Sequence, residues 1–286
     1  MASMRDIKRR KDSVTSTQQI TKAMKLVATV KLQKAKARAE RNKPYFNTLY
    51  KTICSILAKT ENMDHPYLLD NGSDRKAVIV ITSNKGLAGG YNSNVIKEVV
   101  NSGFPVENVD IYAVGRKGTE GLTRKGYRIV EDDSEAINEP LYRDAVDITK
   151  RVLESYTKGE VGEIYMAYTN FKNTVSQEAK LIKLLPLNIE ELPHEEEDGD
   201  MILMNYEPEA DEALDVLIPK YIGNLLYGAF IEALASENGA RMQAMDSATT
   251  NADNMIADLS LKYNRARQAS ITQELTEIIA GSEAIS

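Results

Sequence analysis

The stretch of this 286-residue chain best suited to chemistry is Thr82-Ser-Asn-Lys-Gly-Leu-Ala-Gly-Gly-Tyr-Asn92. It follows a strand-like run and precedes a helical pattern. Glycines in such a loop let backbone N–H groups approach an anion at a helix N-terminus, which is how phosphate is cradled. The spacing, however, fits neither G-x-G-x-x-G nor G-x-x-x-x-G-K-[ST]. Its glycines stand at 86, 89 and 90, and Lys85 precedes them. A structural turn is the favoured reading, since a fold alone does not imply a site. His65, before Pro66, and His194, before Glu195-Glu-Glu-Asp198, lie in separate polar segments without ligand spacing, so both read as exposed loop residues. The acidic run lacks the ordered spacing of a calcium loop. Cys54, the only cysteine, reads as a small buried helix residue and fits a reducing compartment. No catalytic, metal or cofactor-binding residue emerges.

Charge is more informative. Residues 1–51 carry 14 Lys and Arg against 3 acids, while the whole chain has a net charge of −6. From Leu184 to Pro219 there is no Lys or Arg and there are twelve acids. A basic arm of this kind suits nucleic acid, a membrane surface or an acidic protein partner. Nucleic acid is disfavoured: no aromatic interrupts the arm before Tyr45 and Phe46, so a stacking platform is missing. The acidic remainder would repel it as well. No apolar run approaches the ~18–20 residues of a membrane span, and Met1–Ile7 has no signal-type core and leaves no room for a transit peptide. The chain therefore reads as soluble, or held at a membrane by a partner without inserting.

The elements fall into three segments: 1–60, 76–190 and 208–286. The first has no glycine up to Lys59, and Ile7, Val14, Ile20, Met24, Val27 and Leu32 recur at helical intervals. A ~50-residue helix would be ~75 Å long, and so thin an apolar stripe needs a partner helix. The middle alternates β and α. Ala77–Thr82, Val109–Val114, Tyr127–Val130 and Glu163–Thr169 read as strands; Val95–Val100, Lys117–Arg124 and Glu139–Tyr156 read as helices. This predicts a Rossmann-like α/β domain with a parallel sheet, and Ser176–Leu185 as an antiparallel edge strand. In the last segment Met242, Met245, Thr249, Ala252, Ile256, Leu259, Tyr263, Ala266 and Ser270 alternate spacings of 3 and 4, a heptad seam. Beyond Ser270 the apolar set shifts to Ile271, Leu275 and Ile278, as in a helix that leaves its partner. Gly239 costs this helix ~1 kcal/mol relative to Ala. The fold class expected is α/β: an antiparallel coiled coil of the terminal helices with the central domain attached at one end.

Three motifs carry a family resemblance. Ser16-Thr-Gln-Gln-Ile-Thr-Lys-Ala-Met-Lys-Leu-Val27 resembles the N-terminal helix of ATP synthase gamma subunits. Ser236-Glu-Asn-Gly-Ala-Arg-Met-Gln-Ala-Met245 and Ala266-Arg-Gln-Ala-Ser-Ile-Thr-Gln-Glu-Leu-Thr-Glu-Ile-Ile-Ala-Gly281 resemble the C-terminal one. The chain departs from the family in having Ser282 after the terminal glycine and Ser83-Asn-Lys-Gly-Leu-Ala-Gly89 after the first strand.

The resemblance implies a non-catalytic rotor shaft that couples ion flow to ATP synthesis and hydrolysis, with no cofactor of its own. Its implied partners are the alpha and beta subunits of a catalytic ring, the epsilon subunit and a membrane c-ring. A peripheral place on the cytoplasmic face of a bacterial membrane follows. By motif match, Arg267 and Gln268 meet the beta-subunit catch loop; Met24, Arg241, Thr272 and Glu274 serve coupling; Tyr206 and Glu207 lie on the c-ring side. Lys22, Lys25, Arg241 and Arg267 are candidates to pair with ring acids. The alternatives are a nucleotide-binding α/β protein with coiled-coil dimerisation arms and a free-standing coiled-coil adaptor.

Overall fold

The computed structural model describes residues 4–59, 65–174, 176–187 and 210–283. His194, the acidic stretch 190–200, Tyr206 and Glu207 lie outside them, as does the side chain of Cys54. The elements are α1 (Met4–Lys59), β1 (Lys76–Ile81), α2 (Tyr91–Val100), β2 (Val109–Val114), α3 (Arg116–Thr123), β3 (Arg128–Asp132), α4 (Tyr142–Thr157), β4 (Glu163–Phe171), β5 (Gln177–Leu185) and α5 (Ala210–Glu283). Contacts divide them into two compact units, one of residues 1–28 with 241–286 and a larger one of 29–240.

In the larger unit a five-stranded sheet runs in the order β3-β2-β1-β4-β5. β1 pairs in parallel with β2 and β4, β2 pairs in parallel with β3, and β5 closes one edge antiparallel to β4. Both faces of β1 are covered, which explains its unbroken apolar sequence. Ala77, Ile79 and Ile81 point into one core with α4, α5 and the α1 residues Leu49 and Ile53. Val78 and Val80 point into the other, with Val95 and Val99 of α2 and Leu122 of α3. α2 starts four residues ahead of the expected Val95, because Asn92, Ser93 and Asn94 form its polar first turn.

α5 supplies much of the first core, with Leu214, Ile218, Tyr221, Ile222, Leu226, Ala229, Phe230 and Ala233. This corrects the expectation that no run is apolar enough to span a bilayer. A window of α5 reaches a mean hydropathy of 1.2, and 56 % of that window is buried inside the protein. Packing against the sheet accounts for that apolar composition. α5 also carries Pro219 within it.

His65 corrects a second expectation. It is 3 % exposed, not a solvated loop residue. Its Nδ1 accepts a hydrogen bond from the Tyr67 backbone N–H at 3.2 Å, its Nε2 lies 3.3 Å from Asp215 Oδ1 of α5, and its ring packs on Tyr67 at 5.3 Å. The flanking Pro66 and polar neighbours concealed a side chain that ties the α1–β1 connection to α5.

Gly115 joins β2 to α3 with φ of 116°, in the region that favours glycine. A Cβ there would stand 2.2 Å from the Thr82 carbonyl oxygen. Gly115→Ala is expected to cost roughly 2–4 kcal/mol through strain and clash together. Urea unfolding would read this as a lowered midpoint with an unchanged slope.

Candidate functional site

The glycine loop spends its polar side chains on the fold. Thr82 and Ser83 are fully buried. Thr82 Oγ1 donates to the Gly115 carbonyl at 2.9 Å and accepts the Gly118 N–H at 2.8 Å. Ser83 N–H donates to Asn92 Oδ1, and Ser83 Oγ donates to the Lys85 carbonyl. Asn84 Oδ1 accepts the Arg116 N–H, while its Nδ2 donates to the Ser134 carbonyl and to Asn138 Oδ1. These bonds lock β1 to α2, α3 and the segment after β3. They support the reading of the loop as a structural turn. Among the described residues no group of three His, Cys, Asp or Glu is arranged to hold a metal.

The other candidate residues gather in the smaller unit. There α1 and α5 run antiparallel, as three polar contacts fix: Gln18 Nε2 donates to Asp253 Oδ1 at 2.5 Å, Thr21 and Thr249 hydroxyls meet at 2.8 Å, and Lys25 Nζ donates to Asp246 Oδ1 at 2.5 Å. Every expected seam residue from Met242 to Ser270 is buried or half-buried. The facing positions on α1 are Ile7, Lys11, Val14, Gln18, Thr21, Lys25 and Ala28, also spaced by alternating fours and threes.

That α1 seam differs from the expected apolar stripe. Ile20 and Val27 are 60 % and 57 % exposed, and Leu26 is exposed beside them. Polar Gln18, Thr21 and Lys25 take the inward positions because α5 offers them Asp253, Thr249 and Asp246. Lys25, a candidate for pairing with a partner's acids, already has an acid of its own chain.

The motif-matched residues occupy distinct environments. Met24 is half-buried beside the seam, and Arg241 is half-buried and engaged within the chain. Arg267, Gln268, Thr272 and Glu274 are exposed. Glu274 Oε1 accepts a hydrogen bond from Ser270 Oγ at 3.4 Å, and the Thr272 carbonyl accepts one from Thr276 Oγ1 at 2.8 Å. Beyond Ser270 every residue through Ser282 is exposed, including Ile271, Leu275, Ile278 and Ile279. Four large apolar side chains on a bare helix end form the kind of patch that marks a protein contact. The geometry thus offers a contact face with no reacting groups: apolar residues rimmed by Arg267, Gln268 and Glu274.

Comparison with known proteins adds the following. The family model described as ATP synthase matches residues 3–285. A gamma chain of ATP synthase from Lachnoclostridium phytofermentans is 63 % identical over 290 residues, covering 100 % of both chains. The gamma chain from Alkaliphilus metalliredigens is 44 % identical and covers 99 % of this chain and 98 % of its own. A solved structure of the Euglena gracilis mitochondrial ATP synthase, OSCP/F1/c-ring in rotational state 3, matches with TM-score 0.70. It is 19 % identical and covers 99 % of this chain and 94 % of that one, a likeness of fold.

The Thr21–Thr249 contact can be tested by a double-mutant cycle. Thr21→Val alone is expected to cost about 1 kcal/mol through loss of the hydroxyl pair, while Thr249 Oγ1 keeps its bond to the Met245 carbonyl. Adding Thr249→Val to that variant should cost less than Thr249→Val does in the parent chain. Thermal unfolding of the full chain would read both steps, and additive losses would show that the hydroxyls do not interact.

Proposed function

The chain belongs to the ATP synthase gamma family, as the rotor shaft and a non-catalytic subunit of that membrane-associated complex, and from this we propose how its surfaces divide the work. In this reading residues 1–60 and 208–286 form the shaft and 76–190 the domain mounted on it. Nucleotides and catalysis reside on the alpha and beta subunits of the surrounding ring. Tyr206 and Glu207 face the c-ring, with the epsilon subunit nearby. The complex sits peripherally on the cytoplasmic face of a bacterial membrane.

The observation that carries the reading is the end of α5. A helix whose seam ends at Ser270, and whose next twelve residues are exposed, has a surface to give to something outside the chain. Arg267 and Gln268 stand at that transition, where a beta-subunit loop could be gripped. Met24 and Arg241 are partly enclosed by their own helix pair, so they act on coupling by holding the two helices in phase. Thr272 and Glu274 belong to the exposed end.

A rotor needs contacts that form and release without a deep well. Exposed ion pairs suit this, being worth about 0–1 kcal/mol each. Arg267 offers such a charge on the side that turns past each beta subunit. Lys22 is exposed as well and serves the same purpose on α1.

Replacing Arg267 and Gln268 together with alanine is expected to lower ion pumping driven by ATP hydrolysis by about tenfold, some 1.4 kcal/mol. Assembly of the complex should remain near normal. Proton-pumping or ion-pumping assays on membrane vesicles, alongside quantification of assembled complex, would check this. Poor assembly with normal pumping per assembled complex would contradict it.

A further inference from the structure

The end of β4 reaches both long helices, all within the larger unit. Phe171, the last residue of that strand, packs with Leu32 and Ala35 of α1 and with Leu234 and Ala235 of α5. Lys36 Nζ of α1 stands 5.1 Å from the centre of the same ring. Two buried alanines, one from each helix, leave room there for an aromatic side chain. The packing is that of a knob in a hole, with the knob supplied by the sheet and the hole by the helix pair.

The knob is held in place by directional bonds. Asn170 Nδ2 donates to Glu232 Oε2 of α5 at 2.8 Å, and the Phe171 backbone N–H donates to the same side chain. Ser236 Oγ, one turn further along α5, donates to the Thr169 carbonyl at 3.2 Å. The turn that follows is braced as well. The Asn173 N–H donates to the Ser176 carbonyl at 3.1 Å, the Ser176 N–H donates to Asn173 Oδ1 at 2.7 Å, and Lys172 pairs with Glu178 at 2.7 Å. Nearer its start, α5 meets the sheet through Leu214, Ile218, Ile222, Leu226 and Phe230. Apolar area of that kind resists separation but has no preferred direction, so it fixes depth of burial better than axial position.

We propose that Phe171 is a positioning residue for coupling: seated against both helices, it locks the axial position of α1 relative to α5. Three consecutive residues of β4 are tied to α5, so the ring cannot follow α1 if that helix slides. Sliding would therefore empty the hole or press Lys36 and Leu32 into the ring. The proposal rests on the reading that coupling needs the two helices held in phase. It adds that the sheet domain sets that phase, through one side chain.

Two readouts test this. In the full chain carrying Cys54→Ser, spin labels at Arg38→Cys of α1 and Lys220→Cys of α5, both exposed positions, report the distance between the helices by pulsed electron resonance. Phe171→Ala should shift or broaden that distance by at least the ~1.5 Å rise of one residue. Phe171→Tyr, which keeps the ring, should match the parent. So should Gly115→Ala, which lowers stability away from the helix pair. In the assembled complex on membrane vesicles, Phe171→Ala should lose ions pumped per ATP hydrolysed, with Phe171→Tyr and Gly115→Ala again as in the parent. An unchanged distance in Phe171→Ala, or the same change in Gly115→Ala, overturns the lock. A changed distance with undiminished pumping per ATP overturns instead the reading that helix phase governs coupling.

Discussion

A helix of 74 residues has no means of burying its own apolar residues, so every stretch of α5 must find cover. The rest of the molecule can be understood as the answer to that demand. Residues 214 to 233 are covered by the sheet, α4 and the later part of α1. Residues 242 to 270 are covered by the early part of α1 along a heptad seam. Residues 271 to 282 are exposed, with no cover among the described residues. The three kinds of cover correspond to three kinds of side chain: large aliphatic and aromatic residues against the sheet, small and polar ones along the seam, and solvent-facing Ile and Leu at the end.

The seam is weak by composition, and its chemistry is directional. Apolar burial contributes roughly 25 cal/mol per Å² without regard to orientation. A Thr–Thr hydroxyl pair and the Gln18–Asp253 and Lys25–Asp246 contacts add little net energy but penalise a shift of register, because a slipped helix would leave each partner unmatched. Register is therefore held by polar complementarity, while small side chains such as Ala28 and Ala252 keep the helices close. The larger unit works the other way. Phe230, Ile79, Ile81 and Leu214 are fully buried there, and stability comes from area.

This contrast explains what the sequence made legible. The strands of the sheet could be read because both-face burial demands unbroken Val and Ile, and the antiparallel edge because Thr169–Asn173 is too short for a crossover. The α5 seam was legible because its residues, though small, are rarely charged. The α1 seam was not, since apolarity points to Ile20 and Val27 while the structure turns Gln18, Thr21 and Lys25 inward. Only the partner helix makes those polar residues sensible. His65 failed for a similar reason: its Asp215 and Tyr67 contacts are long-range or local-backbone facts that composition around Pro66 does not carry. Gly239 read as a mild defect in a long helix; a Cβ there would meet Phe171 at an ordinary 3.5 Å and the Gln177 amide at a tighter 3.2 Å.

The polar loop at the end of β1 follows the same economy. In open α/β sheets ligands settle beyond the carboxyl ends of the strands, where loops have backbone groups to spare. Here Thr82, Ser83 and Asn84 at the end of β1 bond to Gly115, Gly118, Asn92, Arg116 and Ser134. On one face of the sheet, the apolar surface a ligand or further helix could use is taken up by α5. The strands end in polar contacts that make the domain rigid, and its broadest surface makes it adhere to the long helix. A domain so arranged is a mount: it holds the first stretch of α5, residues 214 to 233, against the sheet.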